Sequence, residues 1–335
     1  MAIPLGQALK VGWYVFKQKV KGVKRYPLVL MLEPLFRCNV ECLGCGKIQK
    51  PNEILKQYLT PEQCFQAAEE CGAPVVSVAG GEPLIHPNII EIVTGLLARG
   101  RYVYLCTNAL LLPRFFDLLP RDERLTLSIH LDGLEDVHDR IMMHKGAFRS
   151  VVDNIKEAKR RGFRVTTNTT FFDGTTVDEA ARFFDFIRPL GVDGMTVSAG
   201  FQYQAAPGQD LFFGRRKTFE FFRSLIEKNT NGQWNFSHSL FYMEFLQGKH
   251  DYNCTPWGNP NYSVLGWQRP CYLLDEGYVQ TFKELMELTD WGKYGHRNNP
   301  KCADCTAHCG YEATAVEDST RSFRNMALSA RAVLS

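Results

Sequence analysis

Cys38, Cys42 and Cys45 stand in the spacing C-x3-C-x2-C within the stretch FRCNVECLGCG (36–46). Thiolates this close select soft metals, either zinc or an iron–sulfur cluster. Three thiolates on a 4Fe–4S cluster leave one iron open, and an open position separates a reactive centre from a structural one. The alternative is a structural zinc ion with a distant fourth ligand. A second group, Cys271, Cys302, Cys305 and Cys309, reads C-x30-C-x2-C-x3-C, with Cys254 nearby. Four thiolates would close a site, either a structural zinc, in which His308 could replace one ligand, or an auxiliary cluster. The bland alternative is a set of free or partly buried thiols. Cys106 belongs to neither group; it is either a small buried hydrophobe or a hydrogen-atom donor. Cys64 and Cys71 read as inert helix residues. Eleven cysteines is an odd number, and these short spacings suit metal ligation better than a disulfide framework. A reducing cytoplasm is expected.

These residues need elements to hold them. Strand patterns fall at 28–35, 75–83, 102–108, 125–133, 165–171 and 195–200, short runs rich in β-branched and aromatic residues. Helix patterns lie between them. TPEQCFQAAEECG (60–72) has Thr60 as N-cap, Pro61 in the first turn and Gly72 past the end. FRSVVDNIKEAKRRG (148–162) is apolar at helical spacing and closes on basic residues and glycine. Such alternation predicts an α/β fold with parallel strands and right-handed crossovers. Six units are too few for a closed eight-stranded barrel, so a partial (β/α)6, TIM-like barrel or a doubly wound sheet is expected. Both place ligands at the C-terminal strand ends. The polar motifs fall there: the cysteine loop, Gly80-Gly81-Glu82-Pro83, Thr107-Asn108, Ser128 to Asp132, and Asn168.

The organisation expected is a basic amphipathic N-terminal helix at 1–26, a core at 27–205, and a small aromatic and cysteine-rich C-terminal domain at 206–335. The length of 335 residues and 45% hydrophobic content allow a sizeable core. A net charge of +3 is too mild to argue for nucleic acid. No apolar run reaches the ~18 residues of a spanning helix, and no secretory signal is evident. Residues 1–26 hold six basic residues and no acidic one. Leu5, Leu9, Gly12, Trp13, Phe16, Val20 and Val23 fall on one helical stripe, with most lysines outside it. That suits peripheral contact with the inner face of an anionic cell membrane. A helix burying the stripe against the barrel fits equally, and both hold if it borders a hydrophobic substrate entrance. The stretches FYMEFL (241–246) and 255–274 are strongly aromatic. They suit either a wall over an apolar cavity or ordinary core packing.

From about 28 to 200 the sequence resembles the radical S-adenosylmethionine (SAM) superfamily, through C-x3-C-x2-C after the first strand, GGEP (80–83), TNA (107–109), SIHLDG (128–133) and HDRIMMHKGAFRSVVDNI (138–155). The resemblance implies a 4Fe–4S cluster on Cys38, Cys42 and Cys45 whose open iron chelates SAM. Reduction then yields methionine and a 5′-deoxyadenosyl radical. It implies backbone at Gly80 and Gly81 close to the methionine end of SAM, with Glu82, Pro83, Thr107 and Asn108 in the same cofactor-binding rim. Ser128 and Asn168 lie where the ribose is usually met. Arg140 is a carboxylate partner or a solvated charge; Asp132 is expected to face the cavity, and His130 either faces it too or is a core residue with a satisfied hydrogen bond. The residue before the third cysteine is usually aromatic and packs near adenine. Here it is Gly44, so that contact must come from elsewhere.

The chain, including RPCYLL, DWGKYG and KCADCTAHCGYEATAV, also resembles the radical SAM proteins of bacterial hopanoid biosynthesis, the adenosylhopane synthases. That implies addition of the adenosyl radical to the alkene of diploptene, a triterpene, with Cys106 donating the final hydrogen atom. A flavodoxin- or ferredoxin-type donor would supply electrons. The competing expectations are a peptide- or protein-modifying radical SAM enzyme with an auxiliary cluster, and a non-enzymatic iron–sulfur sensor or carrier.

Overall fold

The computed structural model describes residues 3–201, 205–230 and 232–334. After an N-terminal helix, α1 (Leu5–Val20), the chain alternates strands and crossovers. In order these are β1 (Val29–Glu33), α2 (Asn52–Leu55), α3 (Pro61–Cys71), β2 (Val75–Val78), α4 (Ile89–Ala98), β3 (Tyr102–Thr107) and β4 (Leu125–His130). Then come α5 (Glu135–Ile141), α6 (Ala147–Arg160), β5 (Arg164–Phe171), α7 (Val177–Ile187) and β6 (Gly194–Ala199). The remainder is α8 (Arg215–Lys228), α9 (Leu240–Leu246), β7 (Asn261–Ser263), β8 (Gly266–Gln268), β9 (Tyr278–Val279), α10 (Phe282–Leu288), α11 (His308–Ser319) and α12 (Phe323–Leu334).

Strands β1 to β6 are parallel neighbours in sequence order, the arrangement of an open, partial barrel. Local chemistry explains the boundaries. Thr60 and Gln63 form a reciprocal cap on α3, and Gly72 ends it in a left-handed turn. Each strand turns alternate residues to the helices. Val76, Val78, Val103, Leu105, Leu125, Leu127 and Ile129 are buried in one core with α3, α4, α6 and α7. Each fully buried aliphatic side chain there contributes roughly 1.5–3 kcal/mol. Cys64 and Cys71 are buried in the packed face of α3, where burial pushes both thiols up to about 12.

The opposite sheet face carries Ser77, Tyr104, Cys106, Thr126, Ser128, His130, Thr166, Asn168, Thr170 and Thr196, by the same period of two. The sheet does not stop at the core. Strand β7 pairs parallel with β1, and β8 and β9 add an antiparallel ribbon, giving nine strands. Glu33, at the end of β1, is 1% exposed and anchors this junction. It pairs with Lys47 at 2.8 Å and accepts from Asn261 Nδ2 at 2.8 Å.

Helix α1 covers the N-terminal ends of the strands. Tyr104 Oη donates to Gln7 Oε1 at 3.0 Å, and Lys10 bonds the carbonyl of Gly100. The cysteine loop follows the C-terminal end of β1. The helix therefore does not border a substrate entrance at that loop. Nor does it bury its apolar stripe: Gln7 and Val15 are its buried residues, while Leu9, Trp13, Phe16 and Val20 are exposed. The aromatic stretch 241–246 is core rather than a cavity wall, with Tyr242, Phe245 and Leu246 fully buried.

Candidate radical SAM site

The loop after β1 is locked by its neighbours' backbone. Gly81 N donates to Leu35 O at 3.0 Å, and Glu82 N to Arg37 O at 2.9 Å. A side chain at Gly80 would meet Leu35 O at 2.2 Å, and one at Gly81 would meet Arg37 O at 2.0 Å. The two glycines are thus required by backbone packed against backbone, and the close approach they permit is to the cysteine loop itself. Leu43 N donates to Ile141 O at 2.8 Å, tying the loop's far side to the end of α5. Arg140, the preceding residue, is exposed.

Glu82 and Thr107 turn toward each other. The Glu82 carboxylate accepts from Thr107 Oγ1 at 2.8 Å, Asn108 N at 2.8 Å and Leu84 N at 3.0 Å. Burial pushes this carboxyl up to about 7 against those three donors. Pro83 is buried at the start of the short turn that follows. This bracket joins the ends of β2 and β3. It presents Asn108, whose Nδ2 donates to Asn39 Oδ1 at 2.8 Å and approaches Cys38 Sγ at 3.8 Å. An amide donor at a ligand sulfur is a means of tuning a cluster.

Cys38, Cys42 and Cys45 are half-buried free thiols. Burial pushes Cys38 up to about 11 and Cys42 higher still, and the neighbouring thiols add to both. Three thiolates that disfavour one another so close together fit a cationic iron–sulfur core that neutralises them. Among the described residues no three His, Cys, Asp or Glu side chains converge tightly enough for a single ion. A four-iron cluster holds its thiolates farther apart than a single ion does.

Gly44 has φ +73°, and a side chain there would meet Phe212 Cζ at 3.2 Å and Phe172 at 3.6 Å. The two rings lie 6.1 Å apart. Phe212 and Phe172 thus bring two aromatic rings through space to the position where the resembling family carries an aromatic residue. Nothing local in the sequence signalled that pairing.

Cys106 is half-buried on the face turned away from the helices. Its thiol lies 3.3 Å from Ser77 Oγ and is also hydrogen-bonded by Ser128. Burial raises its pKa, which keeps it a neutral S–H group. Ser77 is the one polar residue of the β2 sequence VVSV, a break in an otherwise apolar strand. Ser128 spends its hydroxyl on this thiol. Asn168 lies two residues along, beside His130, and its side chain has no hydrogen-bond partner among the described residues, so it is available to a ligand. Asp132 is buried and closes this wall: it pairs with His130 Nε2 at 2.5 Å and accepts from Thr170 N at 2.7 Å. Burial works against a charged His130, but Asp132 outweighs it and raises the pKa. His138, fully buried, accepts from Asp132 N and is pushed down to about 4 by burial and by His130.

The C-terminal thiols also converge. Burial raises Cys254, Cys271, Cys305 and Cys309, and each is raised further by other members of the set, Cys302 included. A side chain at Gly310 would sit 2.4 Å from Cys254 Sγ, so a glycine is required beside it. Cys254, which the spacing had left at the margin, thus joins the group. Arg215 donates to Cys305 O at 2.7 Å and packs over Tyr311, placing a cation at the edge of the set. His308 is half-buried and packs beside His238, with its pKa pushed down to about 4 by burial and by that neighbour.

Comparison with known proteins agrees with this geometry. Residues 32–187 match the Radical SAM superfamily, and residues 195–329 match a domain of unknown function, DUF3463. Curated relatives include a GTP 3′,8-cyclase of Synechocystis, 28% identical over 40% of this chain and 42% of that protein. Another is an AdoMet-dependent heme synthase of Methanosarcina barkeri, 27% identical over 49% and 48%. The chain thus spans about half the length of the curated relatives it matches. Among solved structures, anSMEcpe with bound AdoMet superposes with a TM-score of 0.61 at 16% identity, covering 91% of this chain and 100% of that one. Streptococcus suis SuiB bound to S-adenosylmethionine gives 0.60 at 16% identity, over 75% and 62%. The cysteine loop and the family match together identify a radical SAM core at 32–187, the kind of domain that takes a 4Fe–4S cluster and SAM, followed by a DUF3463 domain.

Proposed function

We propose that this enzyme transfers the 5′-deoxyadenosyl group of SAM to the terminal alkene of a triterpene, diploptene, forming adenosylhopane. The observation that carries the reading is Cys106: a neutral thiol, outside both cysteine groups, held by Ser77 and Ser128 on the inward sheet face. The cluster, when held by Cys38, Cys42 and Cys45, supplies the electron that cleaves SAM to methionine and the 5′-deoxyadenosyl radical. Phe212 and Phe172 offer an aromatic surface beside the loop for adenine, and Asn168 a free amide for the ribose. C5′ adds to the terminal alkene carbon, forming one C–C bond and leaving the unpaired electron on the more substituted carbon. Cys106 gives that carbon a hydrogen atom. The thiyl left behind takes one electron and one proton, the electron from a flavodoxin- or ferredoxin-type reductant. Each turnover thus uses two electrons and one proton. The choice of triterpene rests on the resemblance of the C-terminal motifs RPCYLL and KCADCTAHCGYEATAV to the hopanoid radical SAM proteins. The five C-terminal thiols are proposed to hold a second iron–sulfur cluster.

Reconstituted enzyme with SAM, reductant and diploptene is expected to give a product heavier than diploptene by one adenosyl group and one hydrogen. Release of 5′-deoxyadenosine with no adenosylated triterpene would overturn the reading. A second reading is peptide modification. It is favoured by the five-thiol set and by the likeness to SuiB, solved also with a precursor peptide, at a TM-score of 0.61. Peptide-stimulated 5′-deoxyadenosine release would support it. Absence of any SAM cleavage under reduction would return the chain to an electron carrier or sensor.

A further inference from the structure

Helix α1 is mounted the wrong way round for an ordinary surface helix. Its packed side buries Val15, with Val11 and Tyr14 half-buried, and is anchored by polar bonds from Gln7 to Tyr104 and from Lys10 to Gly100, so the longer apolar row is left on the other side. The row Leu5, Leu9, Trp13, Phe16 and Val20 points outward, 45–70% exposed. Trp13 and Phe16 stack on that outer side with centroids 5.5 Å apart. A surface helix normally turns such a row to the core. Left in water, the row is an apolar patch that requires a cover.

A second helix extends the patch. Helix α12 packs against α1, and Lys19 Nζ donates to Thr320 Oγ1 at 2.8 Å where the two elements meet. Phe323 is 88% exposed, and Met326 and Leu328 are 40% exposed. Asn325 Nδ2 bonds Asp318 O at 2.9 Å, pinning α12 to the end of α11.

Charge selects the cover. Residues 1–26 and 319–335 hold Lys10, Lys17, Lys19, Lys21, Lys24, Arg25, Arg321, Arg324 and Arg331 and no acidic residue. The rest of the chain has 30 basic and 36 acidic residues, a net of −6. A near-neutral protein has thus gathered positive charge around one apolar surface. A second copy would bring like charge to like. A nucleic acid would use the charge and leave Leu9, Trp13 and Val20 in water. A bilayer with anionic headgroups satisfies both features, with the aromatic pair at headgroup depth and the lysines on phosphates. No helix among the described residues is long and apolar enough to cross it.

We infer that α1 and α12 together form a docking surface for an anionic lipid bilayer, on which the chain lies without spanning it. The surface is at the opposite end of the strands from Cys38, Cys42 and Cys45, so it places the enzyme at the bilayer rather than forming the mouth of the site. The inference does not depend on which substrate is adenosylated. The test is co-sedimentation of the reconstituted full chain with vesicles of 30% phosphatidylglycerol in phosphatidylcholine. Pure phosphatidylcholine vesicles and 0.5 M salt serve as comparisons. Wild type is expected to bind the anionic vesicles, and less well under either comparison. The double variant Trp13→Ser, Phe16→Ser is expected to lose binding at least about tenfold, and Phe323→Ser several-fold. Both should retain SAM cleavage, which reports an intact fold. The inference is overturned if wild type ignores anionic vesicles, or if both apolar variants bind as wild type does. A wild-type dimer that the apolar variants convert to monomer would also overturn it, since a second copy would then be the cover. None of these outcomes bears on the product formed from diploptene in detergent, so the two readings fail separately.

Discussion

Cys38, Cys42 and Cys45 sit on a loop between strand ends, while Cys254, Cys271, Cys302, Cys305 and Cys309 gather among α9, α11 and the turns around them. The first loop supplies three thiols and leaves its remaining walls to a sheet face of hydroxyls and amides. The second supplies five thiols, with Arg215 and the buried rings of Tyr242 and Tyr311 beside them. Three ligands beside ligand-ready polar groups make a site that expects a second molecule. Five ligands under aromatic cover make one that can close on itself. On the proposed reading, SAM chemistry belongs to the first and structure or electron transfer to the second.

Removing one thiol from the open site gives the largest effect that would break this division. Cys42→Ala is expected to lower 5′-deoxyadenosine formation by on the order of 10³-fold or more, because only two thiolates remain to hold the cluster that carries the open iron. Iron should fall from roughly eight to roughly four per chain if each region holds a four-iron cluster. Cys106→Ala addresses the same cavity without touching a ligand. Saturated adenosylated product is expected to drop at least about tenfold while SAM cleavage stays within about threefold. Saturated product at the normal rate in this variant would remove Cys106 from the mechanism. Cys309→Ser should act on the other region. Iron falls by about half, and SAM cleavage again stays within about threefold. Zinc in place of iron in the wild type would make the second region purely structural.

What the sequence made readable follows the same line. The six core strands were legible as short runs rich in β-branched and aromatic residues set between helix patterns, and the caps at Thr60 and Gly72 because capping chemistry is local. The cysteine spacing is local too. Strands β7 to β9 were not legible: they are two or three residues long, too short for periodicity, and β7 pairs with β1 more than two hundred positions away. Long separation in sequence likewise hid Asn261 on Glu33 and Phe212 on Gly44. Glu82 was readable as important but not in its role, because a carboxylate that braces two strand ends and one that meets a ligand look alike in a motif. The stripe on α1 was legible, but its direction depends on what Gln7 and Val15 meet across the sheet end.

The smallest expected effect separates the two regions by pH. Glu82, in the frame of the open site, has its folded pKa raised from 4.5 to about 7 by burial. The folded state then binds more protons than the unfolded one between about 4.5 and 7, so this group's contribution falls as pH rises through that window, by about 3 kcal/mol at most. Glu312, beside the second region, is the reverse case. Burial acts to raise its pKa, but the hydrogen bond and charge of His238 outweigh it and hold the carboxyl below its usual value. Its contribution is present above the usual carboxylate range and is lost as pH falls through the lowered value. Glu82→Gln should therefore flatten the decline in melting temperature between pH 4.5 and 7, whereas Glu312→Gln should flatten the decline on the acid side. Melting curves of both variants from pH 4 to 8 read this directly. Identical pH profiles in the two would mean that the regions share one electrostatic environment, and the distinction between an open and a closed site would lose its physical basis.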